Sequence, residues 1–178
     1  AVFPKIIREH DIDLVVASHV LAGTAAISAA ERAGIPVVFD LKDWYPDSAA
    51  EYYRNIVIQK AIRNTVLALT RYNLDHSDRI ITVSPSLVDR LAGYGYSSQL
   101  ITNGVNTDLF QPLDSHRAKE RLGIAPDTFV IGFVGVIEPW FALADIIRVL
   151  PELRETGKEV LFMVVGGGLF TEYWKEIT

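Results

Sequence analysis

Five short runs of mostly apolar residues, at 13–17, 36–39, 79–83, 129–134 and 160–165, are separated by stretches in which apolar positions return every three or four residues. The runs are rich in Val and Ile and do not alternate with polar residues, so they read as strands covered on both faces, as a parallel sheet requires. The intervening stretches read as helices. The first is expected over 22–33, with Gly34 as a left-handed cap behind it and Pro36 opening the next strand. A long helix is expected over 49–74, because Val57, Ile58, Ala61, Ile62, Thr65, Ala68, Leu69 and Tyr72 share one face at helical spacing. Shorter helices are expected over 86–92, 115–122 and 143–155, and a short strand over 99–102. Strand and helix in alternation define an α/β chain.

The alternation is interrupted once. Residues 103–112, Asn-Gly-Val-Asn-Thr-Asp-Leu-Phe-Gln-Pro, are rich in turn formers and separate one strand and helix series from a second. The expected organisation is a unit over 1–102, a junction over 103–112 and a second unit over 113–178. Each unit reads as a Rossmann-like parallel sheet. A doubly wound domain usually has about six strands, whereas the first unit supplies four and the second two. Both are therefore expected to be truncated. The absence of an initiator Met and an end at Ile177-Thr178, within a helical pattern, agree with that expectation.

Composition narrows the classes further. Of 178 residues, 49% are hydrophobic and 22% charged, and the mean hydropathy is +0.21, which excludes an intrinsically disordered chain. With no cysteine, a disulfide scaffold, an iron–sulfur cluster, a thiol nucleophile and cysteine-based zinc sites are excluded, and a reducing compartment such as the cytoplasm fits. The net charge is −5, which argues against a nucleic-acid partner. The acid excess lies late in the chain, where residues 103–178 hold 7 basic and 11 acidic groups. No apolar run reaches the length of about 18 residues needed to span a bilayer, so a soluble chain is expected. One region runs against the net charge. Between Glu51 and Asp75 stand Arg54, Lys60, Arg63 and Arg71 and no acidic residue. Either the helix packs on the core and solvates a basic face, or that face, with Lys60, Arg63 and Arg71, meets anionic lipid at the membrane periphery.

Candidate chemistry gathers where strands end, since ligands of α/β sheets bind outside the carboxyl ends of the strands. Val165-Gly166-Gly167-Gly168 follows a strand and precedes a helical pattern, so backbone N–H groups can approach a phosphate or ribose closely; a tight turn is the plainer account of the same glycines. Gly132-Phe133-Val134-Gly135 ends the preceding strand. Lys42-Asp43-Trp44-Tyr45-Pro46-Asp47-Ser48 follows another, bringing a lysine, carboxylates and aromatics suited to sugar hydroxyls and rings. Alternatively Asp47 caps a helix and Trp44 packs in the core. Ser18-His19 also follows a strand, whereas His10, His76 and His116 fall on helix ends or loops. No HExxH or similar spacing indicates a metal, and no GxSxG elbow indicates covalent hydrolysis.

The order of these motifs resembles a known family. Thr82-Val83-Ser84-Pro85-Ser86-Leu87, then 100–112 with Asn103-Gly104-Val105-Asn106-Thr107, then Phe133-Val134-Gly135 and Val164-Val165-Gly166-Gly167-Gly168, is similar to the retaining glycosyltransferases of family 4, which have the two-domain GT-B fold. The Asn-Gly-Val-Asn-Thr stretch is the most specific piece and looks like that family's interdomain junction. The resemblance covers the later first domain, the junction and the start of the second. It implies transfer of a sugar from a nucleotide-sugar donor to a carbohydrate or lipid-linked acceptor hydroxyl, in polysaccharide or glycolipid biosynthesis, with no required metal or cofactor. It puts Gly166, Gly167 and Gly168 at the donor, Gly135 beneath its diphosphate, and Asn103, Gly104 and Asn106 on the hinge side of the cleft. Asp43, the candidate catalytic residue, falls with Lys42, Trp44 and His19 on the acceptor side.

This sequence departs from the family pattern at several positions. Lys42 stands where many members have His, and Val136 where many have Arg; Glu138-Pro139-Trp140-Phe141 supplies no Lys. The family's two glutamates, seven residues apart, would fall beyond Thr178, so the 178-residue chain alone is expected to be inactive. A non-catalytic GT-B-like binding module and a nucleotide-sugar 2-epimerase are the alternative readings.

Overall fold

The computed structural model describes residues 2–138, 141 and 143–168. Pro139, Trp140 and the helical pattern at the chain end lie outside the described residues. The chain divides into two compact units, Ala1–Val105 and Asn106–Thr178.

The first unit carries the elements α1 (Val2–Glu9), β1 (Val15–Ala17), α2 (Val20–Ala33), β2 (Val37–Leu41), α3 (Tyr45–Glu51), α4 (Ile56–Asp75), β3 (Arg79–Thr82), α5 (Pro85–Gly93) and β4 (Gln99–Leu100). The four strands form one sheet in sequence order, every pair parallel. β2 is the centre of gravity: its residues are buried or half-buried throughout, and Val37, Phe39 and Leu41 join Ile27, Ala30, Ile80 and Leu91 in the core. This fits the reading of a strand covered on both faces. Gly34 ends α2 with φ 68°, and its N–H donates to the carbonyls of Ala30 and Glu31, the left-handed cap the sequence predicts. Ser84 caps α5 by accepting from the Leu87 N–H, with Pro85 in the first turn, so the Ser-Pro-Ser segment has a local structural explanation. α1 was not legible in the sequence; it is short, and only Ile7 is fully buried, with Phe3 packed beside the core.

The long helix expected over 49–74 is two helices. α3 ends at Glu51, and α4 starts anew because the Asn55 side chain accepts from the N–H groups of Val57 (2.9 Å) and Ile58 (3.3 Å). The expected apolar stripe is also not the buried face. Val57 and Ile58 are exposed, whereas Thr70, Asn73 and Leu74 are the buried residues of α4. The reason is length: a helix of 20 residues runs about 30 Å, while β2, with 5 residues, spans about 17 Å. All the buried residues of α4 lie in its C-terminal half. Asn73, inside that packed half, donates to the Val20 carbonyl (3.0 Å) and accepts from the Thr24 hydroxyl (2.8 Å), tying α4 to α2.

The second unit carries α6 (Ser115–Arg121), β5 (Phe129–Val136), α7 (Leu143–Glu155) and β6 (Val160–Gly167). β5 and β6 pair in parallel from Phe129 opposite Val160 to Val136 opposite Gly167. Here the expectation of strands covered on both faces fails among the described residues: Phe129, Val134 and Val136 are exposed. Two strands and α7, which packs on β6, are too few elements to enclose the sheet.

Candidate functional site

Parallel pairing brings the carboxyl ends of neighbouring strands together, and in the first unit this gathers most of the predicted acceptor-side residues. Ala17 and Phe39 are opposite each other, so His19, just beyond β1, and the segment following β2 leave the sheet side by side. The His19 ring lies 5.4 Å from that of Tyr45, and His19 is exposed at the start of α2. Lys42 pairs with Asp40 at 3.3 Å. Asp43 is exposed. The end of β2 is fixed from below by the Thr82 hydroxyl, which donates to the Leu41 carbonyl (2.9 Å) in a fully buried bond. These residues thus stand on a rigid edge.

Trp44 and Asp47 are engaged within the protein. Trp44 stacks on Tyr94 (5.2 Å between ring centroids), and the Arg90 guanidinium lies 5.1 Å over its ring. Arg71 in turn lies 5.3 Å over Tyr94. Asp47 accepts from Arg63 Nε at 2.8 Å and from Arg90 at 3.1 Å. It therefore joins α3 to both α4 and α5 rather than closing the first turn of a helix. Neither Arg90 nor Tyr94 carries a sequence signal for this role; their distances from Trp44 along the chain hide a contact that only the fold creates. A neighbouring contact explains a displaced proton affinity. The Tyr96 hydroxyl donates to Asp75 (2.6 Å), and burial first, then that bond and the Asp75 charge, push its pKa up to about 12.

In the second unit the ladder register brings the predicted donor glycines together. Gly135 is paired with Gly166, and Val136 with Gly167; the Ile137 N–H donates to the Gly167 carbonyl at 2.9 Å. A side chain at Gly166 would overlap the Gly135 carbonyl, and one at Gly168 would come within 2.8 Å of the Ile137 carbonyl. Both glycines are thus required for backbone approach before any ligand is considered. Next to them, Glu138 Oε2 is buried without a hydrogen-bond partner, a costly arrangement for a carboxylate oxygen. Nothing in the sequence marked this oxygen as buried.

The remaining predicted residues lie in the segment that follows β4. Asn103, Gly104 and Asn106 are exposed in the segment that connects the units. The Asn106 side chain accepts from the N–H groups of Asp108 (3.0 Å) and Leu109 (3.2 Å), which stabilises a local turn. Among the described residues no three His, Asp or Glu side chains are grouped to hold a metal ion, and no helix is long and apolar enough to cross a membrane.

Two parallel α/β units, with glycine backbone at the carboxyl ends of the second unit's strands, are Rossmann-like units of the GT-B type. The protein of Anabaena known as Alr3699/HepE, solved in complex with UDP and glucose, shares this fold: TM-score 0.72 at 22% identity, covering 97% of this chain and 45% of that one. Residues 1–109 match the profile of Glycosyltransferase Family 4, and the chain belongs to that family. It is 30% identical to the D-inositol 3-phosphate glycosyltransferase of Stackebrandtia nassauensis over 168 residues, 88% of this chain and 36% of that protein. With the enzyme of the same description from Actinosynnema mirum it is 30% identical over 171 residues, 87% of this chain and 38% of that protein. The chain thus spans less than two fifths of the length of these relatives.

Proposed function

We propose that the chain is part of a retaining glycosyltransferase that moves a sugar from a nucleotide-sugar donor to an acceptor hydroxyl, in polysaccharide or glycolipid biosynthesis. The observation that carries this reading is the pairing of Gly135 with Gly166 at the carboxyl ends of β5 and β6 in a family 4 chain. Backbone there carries no side chains, so its N–H dipoles can face a diphosphate directly. Gly166, Gly167 and Gly168 are assigned to the donor, with Gly135 beneath the diphosphate. Asp43 is assigned the proton of the acceptor hydroxyl, and Lys42 and His19 the binding of the acceptor. Trp44 is assigned to holding the segment in shape, since Tyr94 and Arg90 occupy its ring. Asn103, Gly104 and Asn106 are assigned to the hinge. The peripheral contact with anionic membrane expected through Lys60, Arg63 and Arg71 is left out of this reading, because Arg63 is bound to Asp47 and Arg71 lies over Tyr94.

The Anabaena protein was solved with UDP and with UDP-glucose, which makes UDP the first probe. Titrating UDP into isotope-labelled protein should shift the amide resonances of Gly135 and Gly166 to Gly168 and leave Gly34 unmoved; no shift at these glycines with UDP, GDP or ADP would overturn the donor assignment. A nucleotide-binding module without turnover is the second reading, favoured by the buried Glu138 oxygen where the family resemblance implies cations. Neutralising that group in Glu138→Gln is expected to tighten UDP binding about threefold or more. The 178-residue chain alone is expected to transfer no sugar, and product detected by mass spectrometry would refute that.

A further inference from the structure

The corner between α3 and α4 displays apolar side chains on a rigid frame. Tyr53, Ile56, Val57 and Ile58 are between 42% and 71% exposed. A mobile loop would expose such residues without consequence, but this corner is tied. Asn55 caps the first turn of α4, the Gln59 side chain donates to the Tyr53 carbonyl (2.6 Å), and the Tyr53 N–H donates to the Ala50 carbonyl (3.1 Å). The apolar group is therefore held out in one conformation at the end of a helix whose opposite half is anchored in the core.

Charge and size identify what covers it. Arg54 and Lys60, both exposed, flank the apolar residues, and from Tyr52 to Leu74 the chain carries no acidic residue although its net charge is −5. The carboxylates closest in sequence are Glu51, exposed at the end of α3, and Asp47, which Arg63 and Arg90 already engage. A stable protein interface takes about 20–30 residues a side, far more than one helical corner offers. A lipid surface needs only a few apolar and aromatic side chains at the boundary of the acyl region with cations at headgroup level.

We propose that this corner is a membrane-docking tip: Tyr53, Ile56, Val57 and Ile58 enter the interface of an anionic bilayer, and Arg54 and Lys60 hold its headgroups. The mode is end-on. It differs from α4 lying flat on Lys60, Arg63 and Arg71, because Arg63 is bound to Asp47 and Arg71 lies over Tyr94. The proposal stands independently of the sugar-transfer reading.

The test is co-sedimentation of the whole chain with phosphatidylcholine vesicles, with and without phosphatidylglycerol. The native chain should bind the anionic vesicles, lose binding as salt is raised, and stay in solution with neutral ones. Ile56→Ser with Val57→Ser should abolish binding, Arg54→Gln with Lys60→Gln should remove the anionic preference, and Arg63→Gln with Arg71→Gln should keep it. All the tip positions are exposed, and an unchanged circular dichroism spectrum verifies folding. Lack of binding, binding that survives the double serine variant, or an effect confined to Arg63 and Arg71 overturns the proposal. Light scattering that finds a dimer dissolved by the serine variant, with no vesicle binding, assigns the corner to a second copy and equally overturns it.

Discussion

Asp47 illustrates how one side chain sets the geometry around a candidate site. Its two carboxylate oxygens face separate arginines, one on α4 and one on α5, and Trp44, three residues earlier, is held by the second of them. The three charged side chains are 44–45% exposed, so solvent screens both pairs, and each is worth about 0.2–1 kcal/mol. Asp47→Ala should therefore lower stability by about that amount per pair. A double-mutant cycle with Arg63→Ala in urea denaturation measures the coupling, and a coupling of zero contradicts the bridging role of Asp47. Tyr96 makes a prediction about pH. Its pKa is raised to about 12 by burial and Asp75, against about 10 in an unfolded chain. A raised pKa means that the fold favours the protonated hydroxyl, so its contribution is fully present below pH 10 and is lost as pH rises towards 12. Denaturation midpoints should fall over that window in the native chain, and less so in Tyr96→Phe. His19 and Asp43, in contrast, sit where their sequence positions after the strands predicted, because a residue just beyond a parallel strand has little choice of location.

At the scale of elements, register decides more than composition. The triple glycine reads as a ligand turn or as a tight turn, and the β5 to β6 pairing adds a requirement of its own. Gly166 lies against the Gly135 carbonyl so closely that a methyl group cannot fit. Gly166→Ala is expected to cost about 1–3 kcal/mol through displacement of the strands. Gly132→Ala, whose new Cβ would meet nothing within 4 Å, should be neutral or mildly stabilising because alanine restricts the unfolded chain. Thermal unfolding of the two variants in parallel makes the comparison, and equal effects would contradict the register argument. The break between α3 and α4 was invisible for a related reason. Apolar spacing continues smoothly through Tyr52 and Tyr53, and Asn55 is a weak signal until its cap geometry is seen.

The whole molecule joins two units of unequal solidity. β2 is paired on both sides and buried along its length, whereas β5 and β6 pair only with each other among the described strands. Hydrogen exchange should accordingly be slowest at the amides of residues 38–41 and faster by orders of magnitude in β5 and β6; equal protection in the two units would refute this ranking. The sequence by itself determined the α/β class, the parallel strands, the Gly34 cap and the glycines at the strand ends, because each follows from local periodicity or from the backbone freedom of one residue. Only the tertiary structure decided which face of α4 is buried, that Trp44 is spent on Tyr94 and Arg90, that Asp47 bridges three helices, and that Val57 and Ile58 stand in the open. Those outcomes depend on the length of a helix relative to its sheet and on contacts between residues far apart in the chain, quantities that no local pattern encodes.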